Sequence, residues 1–216
     1  MTKATGASLL ILLVGACGHA GPAAHVCTKV VQPPAAPRVR AAPASLLNGA
    51  KTYELVIQSN CGSFTIRLDT AQSPHATASL VALARSRYFD RTAFMGGTPG
   101  ATVEAGDPTV TGNGGPGYAT IDTPPRSASY GRGVVAMARE RGQPRGAGGS
   151  IFFVVTARRA ALPPDYAIVG NVVDGLDVVD LIETFAIGGD LSSQVSHISG
   201  LLNRTVEIER ATVATK

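Results

Sequence analysis

Apolar residues in the middle of this chain recur at every second position, in short runs that glycine and proline cut off. Tyr53, Leu55 and Ile57 alternate with Glu54, Val56 and Gln58, and Phe64, Ile66 and Leu68 repeat the pattern. A period of two sends one set of side chains to one face of a strand, so each run can bury a single face. Between the first two runs, Ser59-Asn60-Cys61-Gly62 supplies a hairpin turn. Gly133 to Ala138, Ile151 to Thr156, Tyr166 to Val173 and Thr205 to Arg210 also read as strands, punctuated from a stock of 25 Gly and 14 Pro.

Helical spacing shows in two places. Ser73-Pro74 offers an N-cap and then the residue best tolerated at the first helical position, and Ala76, Leu80, Leu83 and Ala84 follow as one buried stripe. A shorter helix is expected from about Leu176, after Gly175, with Asp177 and Asp180 in its first turns. Many short strands with two helices predict a mainly β chain, an antiparallel barrel whose open ends the helices cover. No repeat of fixed period is visible, which excludes solenoids and propellers.

The first residues are different in kind. Lys3 precedes an apolar run, Ala7 to Val14, of a length suited to a signal peptide rather than a membrane span. Val14-Gly15-Ala16-Cys17 resembles the lipobox of bacterial lipoproteins, in which small residues precede a cysteine that is lipidated and becomes the mature N-terminus. That resemblance implies a signal peptide over 1–16, an acyl anchor at Cys17, and an exported cell-envelope protein held at a membrane surface. Residues 17–50, with Pro33, Pro34, Pro37 and Pro43 interrupting any helix, read as a semi-extended Pro/Ala-rich tether ahead of a domain over 51–214. In an oxidising compartment Cys27 and Cys61 are candidates for a disulfide that clamps the tether to the first turn; two free thiols are the alternative.

Several functions are disfavoured. Formal net charge is only +4, and the arginines at 126, 132, 139, 141, 145, 158 and 159 lie among Gly and Pro without interleaved aromatics. They read as a solvated surface, and no nucleic-acid partner is expected. Gly112-Asn113-Gly114-Gly115-Pro116-Gly117 satisfies GxGxxG, but it follows no clear strand, opens no helix and carries a proline, which argues against a dinucleotide. His19, His25, His75 and His197 are too scattered for a metal site or a nucleophile and base pair, so neither metal nor cofactor is expected. Ser150 lacks the GxSxG elbow.

One ordered series of segments carries more weight. It runs Tyr88-Phe89-Asp90, Phe94, Gly106-Asp107-Pro108-Thr109 and Gly112 through Tyr118, then Arg132-Gly133-Val134 with Met137-Ala138. Gly149-Ser150 with Phe152-Phe153, Tyr166 through Gly170, and Val173, Gly175 and Asp177-Val178-Val179 complete it. This order resembles the cyclophilins, a family of prolyl isomerases. The resemblance implies a closed eight-stranded antiparallel barrel capped by two α-helices, acting on peptide bonds that precede proline. Rotation about such a bond faces a resonance barrier of about 18–20 kcal/mol, which calls for a catalyst that favours the twisted amide rather than for a nucleophile.

From Phe94 to Asp107 the family spacing is matched without a gap, and the active centre differs. Where the family has His and then the Arg that hydrogen-bonds the twisting amide, this chain has Met95 and Gly96. The resemblance therefore offers no catalytic residue. The proline-pocket and peptide-binding positions it implies are Ala101 and Thr102 in place of Phe and Met, Glu104 and Ile151 in place of Gln, Ala138, Phe153 and Leu162, and Tyr166 where a histidine is common. Phe153 is also open to a core reading, since alternation sends one of Phe152 and Phe153 inward regardless of function. Ala101 suggests a widened, weakened pocket, and loss of the donor suggests a rate lower by about 100- to 1000-fold. The expected function is a weak peptidyl-prolyl isomerase assisting exported proteins; the alternative is a non-catalytic module binding proline-containing peptides or proteins at the envelope.

Overall fold

A computed structural model of the chain describes Met1, residues 25–188 and residues 200–216. Most of the signal-peptide reading, the lipobox-like segment and Cys17 fall on residues outside this set. Among the described residues no helix is long and apolar enough to cross a membrane.

Strands β1 (Tyr53–Ser59) and β2 (Gly62–Leu68) form the expected hairpin, with Leu55 opposite Ile66 and Ile57 opposite Phe64. All four side chains are buried, as a period of two requires when one face meets a core. Helix α1 (Pro74–Arg85) buries Ala76, Leu80, Leu83 and Ala84. Its cap departs from expectation. Ser73 donates its hydroxyl to the Ile168 carbonyl at 2.6 Å, and Asp122 accepts the His75 and Ala76 amides at 3.3 and 2.7 Å. A carboxylate from a distant loop thus satisfies the first helical turn, where it also meets the positive end of the helix dipole.

The remaining strands are mostly short: β3 (Thr92–Ala93), β4 (Gly96–Gly97), β5 (Thr102–Ala105), β6 (Thr120–Ile121), β7 (Tyr130–Gly131), β8 (Val134–Met137) and β9 (Ala147–Gly148). After them come β10 (Phe152–Val155), β11 (Arg159–Ala160) and β12 (Ile168–Asp174). Helix α2 (Leu176–Glu183) follows Gly175, which has a φ of 74° and where an added Cβ would stand 2.3 Å from the Ser63 carbonyl oxygen. Then β13 (Ala186–Gly188), β14 (Gly200–Leu202) and β15 (Glu207–Thr215) end the chain.

Among the described residues, eleven strands join one antiparallel sheet in the order β13-β14-β4-β5-β10-β8-β12-β2-β1-β15-β3, where the sequence suggested eight. The count rises because β13 and β14 add a hairpin and because residues 92–97 contribute two separate short strands. One of these, β3, pairs with β15, whereas β4 pairs with β5 and β14. Between them, Phe94 donates its amide to Val206 O at 2.8 Å and Met95 to Glu104 O at 3.0 Å. The sheet is therefore strongly curled. Its concave side holds the main core, including Leu55, Ile57, Phe64, Leu80, Phe89 and Phe152, whose burial drives the curl.

Residues 25–50 contain no helix or strand, as their prolines require, but they are not a free tether. Cys27 is disulfide-bonded to Cys61 in the β1–β2 turn, which decides between the two cysteine alternatives.

Candidate functional site

Cross-strand partners share a face, so the register defines a row over the convex side of the sheet. It runs Leu201, Gly96, Glu104, Phe153, Ala136, Ile168, each residue opposite the next on the neighbouring strand. Alternation along β10 sends Phe152 into the main core and Phe153 into a second apolar cluster with Met95, Tyr130, Ala138, Ile151 and Val155. The two aromatic neighbours thus separate fold from surface within one strand.

Thr98, Thr102, Glu104, Phe153, Leu162 and Tyr166 line a small, half-open cavity of about 20 Å³. That is room for about one water. Tyr166 forms one wall of the cavity. Its ring stands edge-on to Phe153 at 5.4 Å and to Tyr130 at 5.9 Å. Tyr130 fixes it further, donating its hydroxyl to Tyr166 O and accepting the Tyr166 amide, both at 3.0 Å. Ala101 lines neither this cavity nor the larger one, and its carbonyl accepts the Thr156 amide at 2.9 Å.

Ala138 and Ile151 belong instead to an adjoining cleft of about 460 Å³. Its other walls include Gly114, Gly115, Gly117, Tyr118, Gln143 and Ser150. The glycine-rich segment here is wound round a side chain of its own. One Asp107 carboxylate oxygen accepts the Thr109 amide at 2.7 Å, and the other accepts those of Thr111, Gly112 and Gly114 at 3.0, 2.7 and 3.1 Å. A Cβ at Gly114 would lie 1.9 Å from that carboxylate. The GxGxxG pattern thus gathers amides on an internal anion, the job a phosphate would otherwise do.

Two arginines of the 126–159 group are held by protein acceptors. Arg139 donates to Gln143 O at 2.6 Å and lies 3.5 Å from Asp165, and Arg145 bonds Asp165 at 2.9 Å along with the Pro124 and Pro164 carbonyls. Gly96 is itself buried, flanked by Glu104 and Leu201. Burial holds the Glu104 carboxyl well above the usual range, and burial also raises the Tyr166 phenol, with Arg139 opposing and Glu104 reinforcing the rise. Among the described residues no group of three or more His, Cys, Asp or Glu could hold a metal ion.

Sequence reasoning missed Thr98 and Leu201. Leu201 carries no periodic signal, because β14 is three residues long and opens with glycine. Thr98 follows the glycine pair outside any strand and meets the site where its amide donates to Thr102 Oγ1 at 3.1 Å, a contact that spacing alone does not reveal.

Comparison with known proteins accords with this geometry. The family described as cyclophilin type peptidyl-prolyl cis-trans isomerase/CLD matches residues 54–213. A Mycobacterium leprae protein named probable peptidyl-prolyl cis-trans isomerase B is 32% identical over 187 residues, covering 78% of this chain and 60% of that protein. The chain thus spans less than two thirds of that relative. Mouse peptidyl-prolyl cis-trans isomerase-like 3 is 28% identical over 62% of this chain and 83% of its own length. A crystal structure of a Cryptosporidium parvum cyclophilin type peptidyl-prolyl cis-trans isomerase superposes with a TM-score of 0.63 at 25% identity, covering 76% of this chain and 98% of the other. The family match covers well over half of the chain, and the chain belongs to the cyclophilin-type peptidyl-prolyl cis-trans isomerase family.

Proposed function

We propose that this protein binds proline-containing segments of exported proteins on the Phe153 face and isomerises them weakly, while Cys17 holds it by acyl chains at a membrane surface. The supporting observation is the row through Gly96: the apolar wall at Phe153 is present, and β4, one strand beyond Glu104 in that row, offers no side chain at the position where the family places its donor. Phe153, Leu162 and Tyr166 would meet the pyrrolidine ring, and Thr102 and Glu104 would border it. The cleft at Ala138 and Ile151 is large enough for residues flanking the proline. In this reading the curled sheet closes as the eight-stranded barrel of the family, through the bonds that residues 92–97 make to both β15 and β5.

Without a charged donor, catalysis rests on holding the ring in an apolar setting, and a loss of about 100- to 1000-fold follows. One observation favours a second reading, a non-catalytic binding module: the cavity beneath Tyr166 holds about 20 Å³, so a proline ring enters only when that side chain turns aside.

The experiment is an isomerisation assay of the full chain on an Ala-Pro peptide, with peptide binding followed by NMR. Slow acceleration that Phe153→Ala abolishes supports weak catalysis. Binding without acceleration favours the module, and rates typical of an arginine-bearing cyclophilin overturn both. For the anchor, release of Cys17→Ala from the membrane fraction supports acylation, and unchanged membrane association overturns it.

A further inference from the structure

Residues 25–44 lack regular structure yet are fastened to the domain along their length. Near the start lies the Cys27–Cys61 disulfide. Arg204 donates to the Cys27 carbonyl at 2.7 Å, the Thr28 amide to Asn60 O at 2.8 Å, and Asn60 Nδ2 back to Thr28 O at 2.7 Å. Pro33 is buried. Farther on, the Ala36 amide donates to Pro108 O at 3.0 Å and the Arg40 amide to Pro116 O at 2.9 Å. Between these two bonds, the half-buried Arg38 guanidinium donates to Tyr88 O at 2.6 Å and Asp90 O at 2.7 Å.

Pro108 and Pro116 bracket the loop that winds round Asp107, and Gly114, Gly115 and Gly117 of that stretch wall the 460 Å³ cleft. The carboxylate holds the loop from within and the strap holds it from outside. Val39 adds contact, with Cγ1 3.2 Å from the point where a Cβ on Gly117 would stand. A second line reaches the facing wall. The Arg40 guanidinium lies over the Tyr88 ring at 5.9 Å, the Tyr88 hydroxyl is 3.0 Å from Ser150 Oγ, and Ser150 donates to Gly106 O at 2.7 Å. Ser150 lines the cleft beside Ile151.

We propose that residues 25–44, anchored chiefly by Arg38 and the Cys27–Cys61 disulfide, are a positioning element of the peptide cleft that sets the gap between its Gly114–Tyr118 wall and its Ser150–Ile151 wall. The proposal rests on the reading of this cleft as a peptide site. A glycine-rich wall loses more conformational entropy on ordering than any other. External bonds at both of its ends limit the states it can visit. The strap is suited to the task, because its prolines restrict it to extended conformations before it docks. The disulfide then keeps its contacts intramolecular. A domain cut to begin near Ser45 would keep the sheet and lose this support.

The test is amide hydrogen exchange on the full chain, comparing Arg38→Ala, Arg38→Lys and the double variant Cys27→Ser with Cys61→Ser, alongside affinity for an Ala-Pro peptide. Exchange at Gly112 and Gly114 is expected to rise about tenfold in Arg38→Ala and in the double variant, the scale of one charge-assisted hydrogen bond. Arg38→Lys should restore part of the protection, and β8 amides should not change. Unchanged protection of the loop overturns the proposal. So does an equal rise throughout β8, which means general loosening, and so does lost protection with unaltered peptide affinity. If the native chain binds no proline peptide, the functional reading falls, and loop exchange alone decides whether the strap orders the cleft wall.

Discussion

Strands β5, β8 and β10 present two unlike faces. Toward the main core they send Val103, Ala105, Val135, Met137, Phe152 and Val154, each at most 1% exposed. The opposite face carries Thr102, Glu104, Ala136, Phe153 and Val155, a mixture of sizes and polarities. Within these strands the departures from the cyclophilin pattern, at Thr102 and Glu104, fall on the second face. The inner face is bound by packing, where a change of one methylene is felt. On the proposed reading the outer face is bound by what it must hold, so the fold can persist while that face's chemistry changes.

The sharpest way to break this comparison is to truncate the two adjacent aromatics. Phe152→Ala should lower unfolding free energy by about 3–5 kcal/mol, the cost of a large cavity in a rigid core. Phe153→Ala should cost about half as much, since Tyr166 and Tyr130 can close over the gap. It should nevertheless remove peptide binding. Urea unfolding measures the first effect and peptide titration the second; equal destabilisation by the two changes would mean the faces are not distinct.

Second in size is the gain expected from rebuilding the donor. Gly96 is buried between Glu104 and Leu201, so the arginine needs room, and Gly96→Arg should be made together with Leu201→Ala. The pair should raise kcat/KM for an Ala-Pro peptide about 10- to 100-fold, equivalent to about 1.4–2.7 kcal/mol of transition-state stabilisation. A stable variant without any gain would show that the residue-by-residue match over 94–107 is misplaced.

Much of the inner face was legible in the sequence, because strand alternation and helical stripes are local signals. The β1–β2 hairpin and the buried stripe of α1 follow from spacing alone. The cap of α1 does not, since Asp122 lies 46 residues from the amide it receives. The outer face was legible only through family resemblance, and then by position rather than shape. Ala101 read as a hole in a pocket wall, but the pocket beside Phe153 is lined by Thr98, Thr102, Leu162 and Tyr166, not by Ala101. The strap was misjudged for a similar reason. Composition shows that a proline-rich segment is extended, not what its amides meet, and here they meet the carbonyls of Pro108 and Pro116.

Tyr166 offers a third, smaller test. Tyr166→His brings in a smaller ring and should open the cavity beside Phe153, tightening Ala-Pro peptide binding about tenfold, or about 1.4 kcal/mol. Unaltered affinity would show that the tyrosine already swings aside freely, and that the small cavity does not limit entry.

The smallest expected effect concerns Glu104, a buried carboxyl that the inner face of these strands nowhere contains. Burial raises its folded-state pKa well above the ordinary 4.5, as expected when the charged form loses water. Below the unfolded-state value both states carry the proton, and the group does not oppose folding. Above it the unfolded chain releases its proton while the folded chain keeps it, so unfolding is favoured more strongly as pH rises, until the folded carboxyl ionises too. Glu104→Gln removes this slope. The variant should match the native chain in acid and become more stable toward neutral pH, by on the order of 1 kcal/mol. Urea midpoints measured from acid to neutral pH decide the matter: parallel curves would mean that Glu104 is as well solvated as a surface carboxylate, and that the second face is wetter than its burial implies.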